Sequence, residues 1–96
     1  MKKLQRKSTD ALGIKIQKAF GCKLRTIRKK KEMSQEELAH EIGWEKSHIS
    51  KVENHGQNVS LVTIFLIARA LEVNPCDLIN FSIDAGDDEW DNIMCK

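Results

Sequence analysis

Between Gln35 and Asn54 the apolar residues recur at helical spacing: Leu38 and Ile42 stand four apart, Ile49 and Val52 three apart. Each pair lies on one face of a short amphipathic helix, and the two faces can bury against each other. Ser34 with Glu37 three residues on is a capping-box pattern, which starts the first of these helices at Gln35. Gly43 falls where that helix must stop, in the left-handed conformation that glycine adopts without steric cost. Ala39 falls at the crossing, where a methyl side chain lets the backbones approach. The second helix is expected over residues 45–54, opened by Glu45, a weak N-cap. This is the layout of a helix-turn-helix.

The periodicity continues on both sides. Upstream, Leu12, Ile16, Phe20, Leu24 and Ile27 recur every three or four residues, behind Thr9 or Asp10 as candidate caps. They fit one long helix, weakened at Gly13 and Gly21 by about 1 kcal/mol each, or a short helix followed by a second. The cations Arg28 to Lys31 close this helix, where they suit its dipole or a phosphate equally well. Met33 is expected in the core. Downstream, His55 or Gly56 takes the left-handed conformation, and Ser60 caps a helix over residues 61–73 whose core stripe is Leu61, Ile64, Ile67, Ala68 and Leu71. Asn74 and Pro75 open a last short helix. Val62, Phe65 and Leu66 are left over on the longer of these helices, and an exposed aliphatic patch marks association. A homodimer interface is therefore expected at Val62, Phe65, Leu66 and Leu78. The competing cover is the chain's own C-terminal segment, through Phe81, Ile83, Trp90, Ile93 and Met94.

From Phe20 to Ile79 these elements resemble the lambda-repressor and Cro-like (XRE-type) helix-turn-helix family. The likeness is carried by Phe20 to Arg28, by the central Gln35 to Asn54, by Asn58-Val59-Ser60-Leu61 with Ile67 to Leu71, and by Asn74 to Ile79. The resemblance implies an all-α, five-helix DNA-binding domain over residues 16–80. It leaves a basic N-terminal extension over residues 1–15 and an acidic C-terminal tail over 81–96. Two departures stand out: Glu32 occupies a position where the family often has glycine, and Trp44 replaces a small aliphatic residue in the turn.

The resemblance also assigns a site. The third helix would enter the major groove of double-stranded DNA, with Lys46, Ser47, Ser50 and Lys51 at base edges and some preference for G·C pairs opposite the lysines. Phosphate contacts would come from Gln35, Asn54, Gln57, Asn58 and Arg25, and from Lys29 to Lys31. The arm at Lys2, Lys3, Arg6 and Lys7 would follow the backbone or enter a minor groove. Arg28 and Glu53 match a structural ion pair. His48 is expected to pack on Trp44 or face solvent.

Charge sharpens this. Residues 1–31 hold twelve Lys or Arg against Asp10, while residues 81–96 hold five Asp or Glu against Lys96, although the whole chain carries only +2. Such segregation fits one surface that meets phosphate and another that does not. Cys22, Cys76 and Cys95 are odd in number and widely spaced, a pattern of reduced thiols in a cytoplasmic protein rather than of a disulfide framework or metal site. No cofactor, metal or membrane partner is expected, and the scattered His40, His48 and His55 form no catalytic constellation. The expected function is a sequence-specific transcription regulator, a homodimer on a palindromic operator, with repression the expected sign. The alternative is a protein-interaction module acting through the acidic tail.

Overall fold

In the computed structural model the backbone is described for residues 6–82 and the side chains from Ala11 onward. Five helices follow in order: α1 (Arg6–Lys30), α2 (Gln35–Ile42), α3 (Lys46–His55), α4 (Leu61–Leu71) and α5 (Pro75–Leu78). Among the described residues no helix is long and apolar enough to cross a membrane.

The first helix is continuous. It passes through Thr9, Asp10 and the expected boundary at residue 15 without a break, so the N-terminal extension read over residues 1–15 is helical from Arg6 onward. Lys2 and Lys3 lie outside the described residues. Gly21 is where α1 must be bare: a Cβ there would stand 2.2 Å from the Val52 carbonyl oxygen. The glycine read as a weak point in a helix is thus the contact that seats α3 on α1.

Local chemistry sets the remaining boundaries. The Ser34 hydroxyl accepts from Glu37 N–H at 2.9 Å while the Glu37 carboxylate accepts from Ser34 N–H at 2.8 Å, closing a reciprocal capping box. Gly43 ends α2 at φ 76°, left-handed, with its N–H directed to the Ala39 and His40 carbonyls. Gly56, at φ 75°, takes the unusual conformation after α3, and His55 stays helical. Helix α3 begins at Lys46, with Glu45 in the N-cap position but making no side-chain cap bond. Ser60 caps α4 by accepting from Thr63 N–H at 3.1 Å. Among the described residues two non-glycine residues are left-handed: Glu32 at φ 56° and Glu72 at φ 59°.

All five helices contribute to one core, built from Phe20, Leu24, Ile27, Leu38, Ala39, Ile49, Val52, Ile67, Ala68, Leu71 and Leu78. Met33, Ile42, Trp44, Val59, Ile64 and Phe81 pack on its edge half-buried. Phe81, assigned above to the tail, therefore belongs to the folded domain.

Two expectations are corrected here. Leu61 is 68% exposed, because it is the first residue of α4 and projects beyond the turn that the core covers. Leu78, expected at a dimer interface, is completely buried. Helix α5 packs on α1 and α4, and that orientation directs Leu78 inward.

Candidate nucleic-acid interface

Helix α3 is held from behind by one buried network. Arg28 Nε donates to Glu53 Oε2 at 2.7 Å and its Nη2 to Glu53 Oε1 at 3.0 Å, a bidentate pairing. Both residues are nearly sealed from solvent, Arg28 at 7% and Glu53 at 5% exposure. The third guanidinium nitrogen, Nη1, donates to the Met33 carbonyl at 2.7 Å, which anchors the turn that Glu32 makes in its left-handed conformation. Gln35 Nε2 donates to Glu53 Oε1 at 3.0 Å. The carboxylate of Glu53 thus receives three hydrogen bonds, two from α1 and one from α2, and α3 is fixed to both helices at once.

The opposite face of α3 is open. Ile49, Val52 and Glu53 point inward, while Lys46, Ser47, Lys51 and Asn54 are exposed and Ser50 is half-buried. At about 100° per residue, Ser47, Ser50, Lys51 and Asn54 share the outward stripe, with Lys46 at its edge in the first turn. Ser50 Oγ accepts from Asn54 Nδ2 at 3.0 Å, which steadies both side chains and leaves the serine proton to donate elsewhere. The stripe therefore offers two cations, two hydroxyls and an amide, which are donor and acceptor types that match base edges and phosphates.

At the start of α3 the indole of Trp44 stacks on the imidazole of His48, with ring centroids 3.8 Å apart and planes inclined by 9°. Trp44 is half-buried against the core and His48 is exposed. Trp44 and His48 are four apart across a helix start, the spacing that brings side chains together. Ser50 and Asn54 share that spacing, which is the available signal for their contact, a pairing absent from the sequence reading above.

The expected phosphate contacts divide. Gln35 sits in the first turn of α2, where backbone N–H groups lack intrahelical partners, but one side-chain N–H is committed to Glu53. Arg25 is exposed on α1. Gln57 and Asn58 line an apolar groove with Ile16, Phe20, Val59, Ile64, Ile79 and Phe81, Gln57 half-buried and Asn58 exposed. The exposed apolar patch on α4 holds Val62, Phe65 and Leu66, all turned away from the core stripe of Ile67, Ala68 and Leu71.

Comparison with known proteins agrees with this architecture. A helix-turn-helix family model matches residues 24–78. Control protein C.BamHI of Bacillus amyloliquefaciens is 46% identical over 68 residues, covering 70% of this chain and 84% of that protein. Antitoxin HipB of Escherichia coli O6:H1 is 36% identical over 72 residues, covering 70% of this chain and 77% of that one. The crystal structure of the restriction-modification controller protein C.AhdI from Aeromonas hydrophila superimposes with a TM-score of 0.60 at 43% identity, over 64% of this chain and 92% of that one. The chain belongs to the XRE-type helix-turn-helix family of DNA-binding transcription regulators.

Proposed function

We propose that this protein is a sequence-specific transcription regulator that acts as a homodimer on a two-fold symmetric operator, with repression as its main outcome. The observation that carries the reading is the buried Arg28–Glu53–Gln35 network behind α3, set against the exposed Lys46, Ser47, Ser50 and Lys51 in front. A helix immobilised on one side and polar on the other can enter a major groove with its side chains pre-oriented. Lys46 and Lys51 are assigned to guanine edges, Ser47 and Ser50 to either base of a pair, and Asn54, Arg25 and the α2 N-terminus at Gln35 to phosphates. The second copy docks on Val62, Phe65 and Leu66, which lie on an exposed face of α4.

Among regulator classes, control of a restriction-modification system is favoured. Control proteins C.BamHI and C.MunI, at 46% and 38% identity, and the structure of C.AhdI, at 43%, all stand above the 36% of the antitoxin HipB.

The test is a titration of the labelled protein with duplex DNA, followed through backbone amide resonances. Shifts centred on Lys46 to Lys51, Gln35 and Asn54 are expected. Shifts confined to the acidic C-terminal residues would refute the assignment.

A further inference from the structure

The stack of Trp44 on His48 has no part in the function proposed above, although it stands at the start of α3. Trp44 is anchored twice. Its backbone N–H donates to the Ala39 carbonyl at 2.8 Å, and its side chain packs half-buried on the core. His48 lies in the first turn of α3, where its backbone N–H donates to the Glu45 carbonyl at 3.0 Å. With ring centroids 3.8 Å apart and planes inclined by 9°, the indole holds one face of the imidazole. The stack thus orients an exposed side chain whose rotamers would otherwise be open to it. It engages the ring face and leaves the ring edge, where both nitrogens lie. Neither ring nitrogen bonds to another of the described residues, so an oriented N–H donor remains available.

The position of His48 on the helix decides which part of DNA that edge can meet. At about 100° per residue, His48 stands about 60° from Lys51 and about 20° from His55, and about 110° from the middle of the outward stripe of Ser47, Ser50, Lys51 and Asn54. His48, Lys51 and His55 therefore share one flank of α3, and all three are exposed. An α-helix with its side chains is about 10–12 Å across, and the major groove is about 12 Å wide. A helix that fills the groove turns its outward stripe to the base edges on the floor and its flanks to the sugar–phosphate walls.

We infer that His48 is a further phosphate contact, donating from its ring edge to a backbone oxygen of the DNA, and that Trp44 is the positioning residue that holds the imidazole at the required angle. The inference rests on α3 being the helix that enters the groove. It gives the departure at Trp44 a role in binding, exerted through His48 rather than by touching DNA. Phosphates carry no sequence information directly, so this contact adds affinity without selecting sequence.

The test is a set of fluorescence-anisotropy titrations of the full chain at low salt, with two labelled duplexes of unrelated sequence. His48→Ala should weaken binding to both about tenfold, because a hydrogen bond to a charged group is lost. His48→Gln keeps an N–H donor and should recover part of that loss. Trp44→Leu should reproduce most of it, and Trp44→Phe, which keeps an aromatic face, little. In Trp44→Leu/His48→Ala the two losses should not add, because the indole acts through the imidazole. Should Trp44→Leu not fold, by circular dichroism, the His48 variants and Trp44→Phe still decide. Binding that is indifferent to His48→Ala would overturn the inference while leaving α3 as the reading helix. A loss on one duplex alone would overturn it as well, being the mark of a base contact. Additive losses in the double variant would overturn the role given to Trp44. Failure of the unaltered protein to bind either duplex would contradict the reading on which the inference rests, and the inference with it.

Discussion

Arg28 and Glu53 face each other as a fork on a carboxylate, at 2.7 and 3.0 Å, buried between α1 and α3. Removing Arg28 would leave the Glu53 carboxylate sealed without its main partner. Arg28→Ala should therefore destabilise the fold by about 3–5 kcal/mol, read as a lowered urea midpoint. The double variant Arg28→Met/Glu53→Leu should lose much less, because no orphaned charge remains. Equal losses in the single and double variants would mean that packing, not charge, dominates the site.

The two glycines of α1 make a contrast that helix propensity alone would not predict. Gly13→Ala has open space around the new Cβ and should stabilise the protein by about 0.5–1 kcal/mol. Gly21→Ala places that atom 2.2 Å from the Val52 carbonyl oxygen, so α3 must move. A loss of about 1–3 kcal/mol is expected from such overpacking, together with weakened DNA binding. Thermal melts of the two variants, run side by side, check the difference in sign.

Much of the domain was legible from short-range pattern. Ser34 with Glu37, Gly43, Ser60 and the apolar pairs of α2 and α3 are local signals, decided within four residues, and each lies where its chemistry predicts. What escaped is tertiary. Leu78 looked available because its four-residue helix carries no periodicity, and only the packing of α5 on α1 and α4 buries it. Leu61 fitted the core period but stands one turn before the core begins. Glu72 turns left-handed with no local cue, and Gly21 read as a propensity defect because its partner carbonyl is thirty-one residues away in the chain. In the candidate site, the exposed face of α3 follows from the period, whereas the bond from Gln35 to Glu53 depends on how α2 and α3 cross.

Association should depend on the α4 patch alone. Leu66→Glu, or Phe65→Glu, places a charge in a face that must be desolvated in the dimer and should raise the dimer dissociation constant at least about 100-fold. Sedimentation equilibrium measures this, and an unchanged helical circular dichroism spectrum shows that the monomer is intact. An unaltered dimer would move the interface elsewhere.

Base readout and phosphate contact predict different signatures in binding titrations. Lys46→Ala should weaken operator binding by about 1–3 kcal/mol while leaving binding to unrelated duplex nearly unchanged. Arg25→Ala should weaken both to a similar degree and reduce the dependence of log K on log salt by about one. The opposite assignment of signatures would exchange the roles given to these residues.

The most direct test of the account is selection of bound duplexes from a random DNA pool at near-physiological salt, with Lys46→Ala/Lys51→Ala run in parallel. The expected result is an enriched palindrome whose half-sites lie about one helical turn apart, relaxed or lost in the double variant. No enrichment by the unaltered protein, with only weak salt-sensitive binding shared by both, would contradict it.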